Sequence, residues 1–134
     1  MGVAHGYVNL GGDMRFLGPR PDGTAWNIGI QHPRDLSATV ASIPVSRGAL
    51  ATSGDYERFI EVDGRRYCHV IDPRSGMPVS HWRSVSVLAP LAIIAGSCST
   101  TAMLLEKDGL AFLERCGHVY LAIDHDGHIF RSTP

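Results

Sequence analysis

The amino-acid sequence predicts an α+β domain in which an antiparallel sheet is backed by helices. Short segments rich in strand-forming residues alternate with glycine, proline and aspartate through most of the chain. Two Asp-Gly pairs mark tight hairpin turns, and the two helical segments come late. Strands joined by hairpins and followed by helices are typical of this fold class. The 134 residues suit a single domain that can bury a core.

The composition excludes several classes of function. A net charge of −1 with 19% charged residues leaves no basic surplus for nucleic-acid binding. The sequence contains no secretory signal and no apolar run near the ~18 residues that span a bilayer. As given, it therefore predicts a cytoplasmic chain, and the location of the parent protein stays open. Three widely spaced cysteines predict small, reduced thiols, not a zinc site.

The N-terminal part predicts three strands, Gly6–Leu10, Met14–Leu17 and Trp26–Gln31. Gly11-Gly12-Asp13 follows the first strand, where paired glycines either cradle a phosphate or form a structural bulge, the interpretation we favour. A loop rich in glycine and proline, residues 18–23, predicts a long-looped hairpin between the second and third strands. Because the first strand begins almost at the first residue, we expect the chain to begin part-way through a larger domain.

The central part predicts further strands. Residues 35–42 are ambiguous, and Val45–Ala51 predicts a strand interrupted by a glycine. The pair Asp63-Gly64 is the strongest hairpin signal in the chain. It joins the predicted strands Tyr56–Val62 and Arg65–Ile71.

The C-terminal part combines a strand with both helices. Arg83–Ala89 alternates serine and valine and predicts a half-buried strand. Leu91–Glu106 predicts a helix whose small residues allow the close approach of a sheet or of a ligand. A second helix is expected over Gly109–Cys116, with Asp108 as its N-cap and a stop at Gly117.

The last predicted hairpin joins His118–Ile123 to His128–Arg131. Its turn, Asp124-His125-Asp126-Gly127-His128, contains residue types that bind metals. A tight turn at Asp126-Gly127 explains this segment without a metal, and we favour the turn.

The segment Arg66–Pro78 holds the most suggestive side chains. Pro73 lacks an N–H and keeps Asp72 extended, so the strand ends in a stiff turn. His69 and Asp72 are thereby fixed at a strand end, which suits either chemistry or an ordinary turn. Asp55 and the serine- and threonine-rich helix are the other candidate site residues, and none of them names a substrate.

Five blocks of the chain together resemble a known family, the FAD:protein FMN transferases of the ApbE type, long labelled thiamine-biosynthesis lipoproteins. The blocks are, in order, Val8–Asp13, Thr52–Arg58, His69–Pro78, Ser84–Pro90 and the small-residue helix with Ser99-Thr100. The resemblance covers nearly the whole chain but only the C-terminal portion of the family's domain. It implies a T-fold-like arrangement, with residues 1–134 as a single domain forming one portion of a duplicated fold.

The resemblance implies a flavinylation reaction. Transferases of this family move FMN from FAD to a threonine of an acceptor flavoprotein with the help of Mg²⁺, and they release AMP. FAD and Mg²⁺ are therefore the expected cofactors, and an acceptor flavoprotein is the expected partner. Family members are often periplasmic lipoproteins.

The resemblance also implies roles for individual residues. His69 would contact FAD and act as the catalytic base or proton relay. Val70 and Gly96 would contact the cofactor, and Thr100 would bind the metal. The residues expected to support the site structurally are Gly11, Gly12, Asp13, Asp55 and Asp72.

Two departures from the family pattern leave three hypotheses. Gly96 stands where the family carries an aspartate four residues before Thr100, and the N-terminal half of the domain is missing. In the first hypothesis the chain is an enzyme, with Ser97 or water replacing the carboxylate and a second chain supplying the missing half. In the second it is a non-catalytic module that binds FAD or a nucleotide or assists assembly. In the third it is a fragment of a longer transferase. We also expect self-association near the N-terminal strand.

Overall fold

The chain forms a six-stranded antiparallel sheet with two helices on one face and a β-hairpin on the other. The computed structural model describes residues 2–56 and 58–132. The strands are β1 (Gly6–Leu10), β2 (Asp13–Gly18), β3 (Trp26–Gln31), β4 (Thr39–Val45), β5 (Gly48–Gly54), β6 (Phe59–Val62), β7 (Arg65–Cys68), β8 (Trp82–Ala89), β9 (Val119–Asp124) and β10 (Ile129–Arg131). The helices are α1 (Ala92–Leu104) and α2 (Gly109–Cys116), joined by a 3₁₀ turn over Glu106–Asp108.

The main sheet has the strand order β1-β2-β5-β8-β9-β10, and every neighbouring pair is antiparallel. The two remaining strand pairs, β3–β4 and β6–β7, form separate two-stranded sheets. Both hairpins are excursions between strands of the main sheet. The predicted α+β class, with an antiparallel sheet backed by helices, is confirmed.

Each face of the sheet has its own apolar core. On the helix side, Val85 and Val87 of β8 pack with Trp82 and the buried residues of both helices. On the opposite side, Phe16 and Leu50 pack against the β3–β4 hairpin. The expectation of a half-buried β8 is therefore wrong, because the central strand is covered on both faces.

One stripe of small residues on α1 faces the sheet. Ala95, Ser99 and Ala102 are fully buried, and the helix packs on β5 and β8. Gly109 begins α2 where the two helices meet, and a Cβ there would lie 2.3 Å from the Ala102 carbonyl oxygen. Neither helix is long and apolar enough, within the described residues, to cross a membrane.

Several local predictions are confirmed. β1, β3 and α2 have the predicted bounds. The turn at Asp63-Gly64 has positive φ angles of 51° and 74° and joins β6 to β7. Gly117 ends α2 with a left-handed φ of 67°, and the terminal hairpin pairs β9 with β10.

Other predictions are wrong for non-local reasons. The expected hairpin between the second and third strands is absent among the described residues, because β2 has both edges paired, with β1 and β5. β3 pairs with β4 instead, in the stretch that was ambiguous. The strand expected over Val45–Ala51 is divided, because β4 ends at Val45 and β5 starts at Gly48, whose φ is 113°.

Strand and cap boundaries near the candidate site also differ. The strand expected over Tyr56–Val62 begins only at Phe59. The preceding strand, β5, continues to Gly54. β7 ends at Cys68, and Ile71 forms an isolated bridge with Pro78. Asp108 has helical φ and ψ and makes no side-chain cap bond, so its predicted capping role is wrong.

Candidate active site

A polar cleft lies at one end of the main sheet, where the β1–β2 turn, the end of β5 and the residue after β7 meet. Its volume is about 250 Å³. The lining residues are Leu10, Gly11, Asp13, Thr52, Ser53, Gly54, Tyr56, Arg58 and His69. Polar side chains and backbone from three separate segments therefore converge on one space. Convergent polar groups in a concave space are a reason to treat this cleft as a candidate binding site.

The β1–β2 turn forms one wall of the cleft. Leu10 pairs with Asp13, so Gly11 and Gly12 make a two-residue turn with φ angles of 64° and 101°. Turns of this kind require positive φ at both central positions, which explains the two glycines. The N–H of Gly12 donates to Asn9 Oδ1 at 2.9 Å, so that amide is already occupied.

A cluster of hydroxyl groups joins the end of β5 to α1. Ser53 Oγ lies 2.8 Å from Ser99 Oγ and 3.1 Å from Thr100 Oγ1. Ser99 also donates to the carbonyl of Gly96 at 3.0 Å. Successive strand residues point to opposite faces, so Ser53 faces the helix, and Thr52 on the other face bonds Ser86 Oγ at 2.8 Å.

His69 stands at the rim of the cleft with an exposed ring. Its backbone N–H donates to the Arg58 carbonyl at 3.1 Å, and its ring Nδ1 lies 3.0 Å from the same oxygen. A carbonyl only accepts, so Nδ1 carries the hydrogen in this contact. The neutral ring then offers Nε2 as its proton-accepting nitrogen.

The turn after His69 is held by its own hydrogen bonds. Asp72 N–H donates to the Met77 carbonyl at 2.9 Å, and Gly76 N–H donates to the Asp72 carbonyl at 2.8 Å. The Asp72 carboxylate accepts from the backbone N–H of Arg74 at 3.0 Å and also pairs with the guanidinium of that residue. Hydrogen bonds from Arg74 lower the pKa of Asp72. Asp72 therefore braces the turn and does not line the cleft.

Asp55 has a different structural partner. Its two carboxylate oxygens accept a bidentate pair of bonds from Arg34, at 2.7 Å and 2.6 Å. These bonds raise the pKa of Arg34. Because Arg34 follows β3, the pair ties the β3–β4 hairpin to the end of β5. A bidentate pair of this kind also fixes the relative orientation of the guanidinium and the carboxylate.

The remaining predicted residues lie at different distances from the cleft. Val70 packs against the helix-side core, its N–H faces Cys68 Sγ, and its carbonyl accepts from Val79. A Cβ at Gly96 would have no other atom within 4 Å, so this helix position opens onto free space. Thr100 is not among the residues that line the cleft, but its Oγ1 contacts Ser53, which is.

Sequence reasoning assigned no role to several residues that line the cleft, among them the side chains of Thr52, Tyr56 and Arg58. All three belong to the block Thr52–Arg58, which signalled the family without assigning these side chains a role. Glu57, in the same block, lies outside the described residues. Residues 55, 56 and 58 lie outside the strands, between β5 and β6.

The hydroxyl cluster is a poor match to a magnesium ion. Within residues 2–56 and 58–132, the partners found for Ser53, Ser99 and Thr100 are hydroxyls and one carbonyl. A hard dication prefers carboxylate and water oxygens, and position 96 offers no side chain. Asp13 is the carboxylate that lines the same cleft.

A group of metal-ligand residue types lies elsewhere, at the β9–β10 turn. Potential ligand atoms of Asp124, Asp126 and His128 lie within 4.8 Å of one another. The Asp124 carboxylate already accepts from the backbone N–H of both other residues at 2.9 Å and from His128 Nδ1 at 3.0 Å. These bonds close the predicted hairpin turn, which accounts for the cluster without a metal.

Comparisons with known proteins agree on one relationship. A family model described as the ApbE family matches residues 1–122. The FAD:protein FMN transferase of Escherichia coli K12 is 33% identical over 134 residues, 98% of this chain and 38% of that protein. The Salmonella typhimurium protein of the same name is 38% identical over the same shares. The chain thus spans 38% of the length of these relatives.

Solved structures give the same result. The ApbE protein from Thermotoga maritima superposes with a TM-score of 0.88 at 36% identity, over 95% of this chain and 42% of that chain. The flavin transferase ApbE from Vibrio cholerae superposes with a TM-score of 0.79 at 34% identity, over 97% of this chain and 43% of that chain.

Proposed function

This chain belongs to the ApbE family, and on that premise we propose that it takes part in transferring FMN from FAD to a threonine of an acceptor flavoprotein. The relatives are named for transfer of FMN from FAD to protein. We further propose that residues 1–134 correspond to the C-terminal portion of such a transferase. The observation that carries the proposal is the polar cleft that holds both His69 and Arg58 beside the β1–β2 turn.

The proposed reaction is a phosphoryl transfer. The threonine oxygen attacks the phosphorus on the FMN side of the FAD diphosphate, the bond to AMP breaks, and the threonine proton must leave. Such reactions depend mainly on positioning and on stabilising negative charge. Arg58 lines the cleft, and we propose that its guanidinium stabilises the charge, with a base at the rim.

His69 is the proposed base. With Nδ1 bound to the Arg58 carbonyl, Nε2 accepts the threonine proton as the new ester forms. The same carbonyl receives the backbone N–H of His69, so ring and backbone are fixed by one group. Asp72 acts on His69 only through the turn that it braces.

The other residues have supporting roles in the proposal. Gly11, Gly12 and Asp13 form the wall of the cleft, and Asp55 anchors the neighbouring hairpin. Open space at Gly96 leaves room for a ligand beside α1. Val70 supplies no group, because its N–H and carbonyl already have partners and its side chain is in the core.

Magnesium enters the proposal through the family resemblance, with Thr100 as its ligand. When bound, Mg²⁺ would neutralise charge on the diphosphate. The neutral hydroxyls around Thr100 do not fit a dication by themselves. We therefore assign no step to the ion and expect magnesium dependence only where a carboxylate from elsewhere in the parent protein, or from a second chain, joins Thr100.

A second candidate function is FAD binding without transfer. Glycine at position 96 favours it, because a site that lacks its carboxylate can still hold a flavin nucleotide through the cleft. The module would then hold the cofactor or assemble with a catalytic chain.

One titration separates these functions. The chain is titrated with FAD, with and without Mg²⁺, and flavin fluorescence quenching is followed. Covalent FMN on an acceptor flavoprotein but not on its threonine-to-alanine variant supports the transferase, and FAD binding that tightens in Mg²⁺ shows in addition that a carboxylate joins Thr100. FAD binding without any covalent product supports the binding module. No FAD binding under either condition contradicts both.

A further inference from the structure

Two cysteine thiols meet where the helices α1 and α2 pack together. Cys98 lies in the middle of α1, and Cys116 is the last residue of α2. Their sulfur atoms are 3.8 Å apart, and both are free thiols. Eighteen positions separate them along the chain, so their proximity is a product of the helix packing.

We propose that Cys98 and Cys116 form a redox modification site that closes reversibly into an intramolecular disulfide between α1 and α2. A disulfide requires an S–S distance of about 2.05 Å, so the sulfurs need to approach by less than 2 Å. Rotation about the side-chain bonds of two packed helices can supply much of that movement. The contact exists in the folded chain before any oxidant acts.

The two thiols differ in access. Cys98 is 8% exposed, whereas Cys116 is half-buried and adjoins the exposed Gly117. An oxidant therefore reaches Cys116 first, and Cys98 is the thiol that resolves the adduct. Pairs with one accessible and one resolving cysteine are the common form of redox-responsive site.

The third cysteine is different and serves as an internal control. Cys68 ends β7 and is 4% exposed. Its sulfur faces the Gly54 carbonyl at 3.9 Å and the Val70 N–H at 3.4 Å. The ring nitrogen Nδ1 of His69 also lies 4.0 Å from this sulfur. Within residues 2–56 and 58–132, its polar neighbours therefore include two backbone groups and an imidazole but no second thiol.

The chemistry balances with a disulfide oxidant such as oxidised glutathione. The Cys116 thiolate attacks one glutathione sulfur, which forms a mixed disulfide and releases one reduced glutathione. The Cys98 thiol then loses its proton and displaces the second glutathione. Two thiols have lost two hydrogens to the oxidant, which has become two reduced glutathione molecules.

The position of the bridge gives it a structural consequence. Cys98 directly precedes Ser99 and Thr100, which hold the hydroxyl contacts to Ser53. The disulfide would therefore tie the helix that carries these hydroxyls to α2. The proposal itself concerns the thiol pair and does not depend on flavin chemistry.

The test is oxidation of the purified, reduced chain with oxidised glutathione, followed by alkylation, proteolysis and mass spectrometry. We expect a linked peptide pair containing Cys98 and Cys116, alkylation only at Cys68, and full reversal by dithiothreitol. Cys68→Ser is expected to leave the bridge unchanged, and Cys116→Ser to abolish it. Because Cys116 is half-buried at a helix end, its serine variant is the one expected to fold, which circular dichroism checks.

Three results would overturn the proposal. The first is that all three thiols of the folded chain are still alkylated after treatment with oxidised glutathione, although the same treatment oxidises the chain when it is unfolded in guanidinium. Another is a bridge that includes Cys68. A third is a glutathione adduct on Cys116 that persists without being resolved.

Discussion

His69 combines an exposed ring with a backbone position that is fixed on both sides. Its N–H and its ring share the Arg58 carbonyl, and the chain after it enters a turn closed by Asp72. A side chain held this way loses little freedom when a substrate arrives, which is the condition for efficient proton transfer. Its exposure also means that replacing it leaves the cores intact.

We expect His69→Ala to lower FMN transfer by about 100-fold or more, because it removes the proposed base. The free energy of unfolding should change by less than about 0.5 kcal/mol, since the ring is exposed. Transfer rates and urea unfolding measure the two effects.

His5→Ala is the matched control for that variant. His5 is also exposed, and its Nδ1 lies 3.0 Å from the Pro19 carbonyl, outside the cleft. Equal loss of transfer in both variants, or wild-type transfer in His69→Ala, would count against the role of His69.

Position 96 allows a direct test of the missing carboxylate. Gly96→Asp places a carboxylate in open space, one helical turn before Thr100, on the same face. We expect FAD binding to become at least about tenfold tighter in Mg²⁺ than without it, a difference of 1.4 kcal/mol or more. Isothermal titration calorimetry measures both affinities.

Gly96→Asn is the control for this variant, because it has nearly the same shape without the charge. It should show little response to Mg²⁺. The proposed role of Thr100 as a ligand fails if Gly96→Asp responds to Mg²⁺ no more than Gly96→Asn does.

At the residue scale, the sequence predicted which residues lie near the site better than it predicted which side chains contact each other. His69, Gly11 and Asp13 were predicted near a site, and the structure places them on one cleft. Their assigned roles stay predictions. The pairing of Asp55 with Arg34 was not predicted, because 21 positions separate the two side chains and only the return of the β3–β4 hairpin brings them together.

At the scale of elements, the two helices illustrate opposite uses of glycine. Gly109 sits where α2 meets the Ala102 carbonyl, and Gly96 faces open space within α1. The same substitution should therefore have opposite effects at the two positions.

We expect Gly109→Ala to lower the free energy of unfolding by roughly 1–3 kcal/mol, because its methyl group would overlap the Ala102 carbonyl. Gly96→Ala should raise it by about 0.5–1 kcal/mol, because alanine restricts the unfolded chain and meets no atom in the folded one. Guanidinium unfolding curves compare the two. Equal effects in the two variants would contradict the close helix contact.

The β9–β10 turn makes stability depend on acid pH. Burial raises the pKa of Asp124, but hydrogen bonds from His128 and Asp126 outweigh it, and the net pKa is below the ordinary value. A carboxyl whose pKa is lower in the folded state stabilises the fold above its unfolded pKa of about 3.9. That contribution is lost as the pH falls through the folded pKa.

Asp124→Asn should lower stability at neutral pH by about 1–3 kcal/mol, since it removes a charged acceptor from a buried site. It should also make the loss of stability below pH ~4 less steep. Thermal unfolding across pH 2 to 7 tests both expectations, with the exposed Asp126→Asn as the control. Identical acid profiles for Asp124→Asn and wild type would contradict this role.

Elements with local signals were predictable, and long-range pairings were not. α2 and the Asp63-Gly64 turn depend on glycines at fixed positions. The pairing of β2 with β5 depends on residues more than 30 positions apart, for example Met14 with Leu50. No local pattern encodes that choice. Burial of β8 on both faces likewise follows from the arrangement of layers around it.

At the scale of the whole molecule, one of the two edges of the main sheet is markedly apolar. β1 lies at the end of the strand order, and Val3, Val8 and Leu10 on or near it are exposed. An exposed apolar edge strand readily pairs with another chain. Self-association through β1 therefore remains our prediction, with either a second copy or another part of the parent protein as the occupant.

Val8→Lys should reduce self-association, because a charge on an edge strand opposes pairing. Val62→Lys is the matched control, since the two valines are 48% and 49% exposed and Val62 lies on β6. Light scattering over a range of concentrations measures the mass. A wild-type chain that stays monomeric throughout, or an equal effect of both variants, would contradict the prediction.

The arrangement of hairpins also has a consequence for motion. Within residues 2–56 and 58–132, β6–β7 shares no strand pairing with the main sheet, yet it leads directly into His69 at the wall of the cleft. The exposed amide hydrogens of β6 are therefore expected to exchange with solvent through a local opening, whereas those of β5 and β8 exchange only on global unfolding. The exposed part of this hairpin can thus move at one wall of the cleft, while Cys68 at the end of β7 stays packed in the helix-side core.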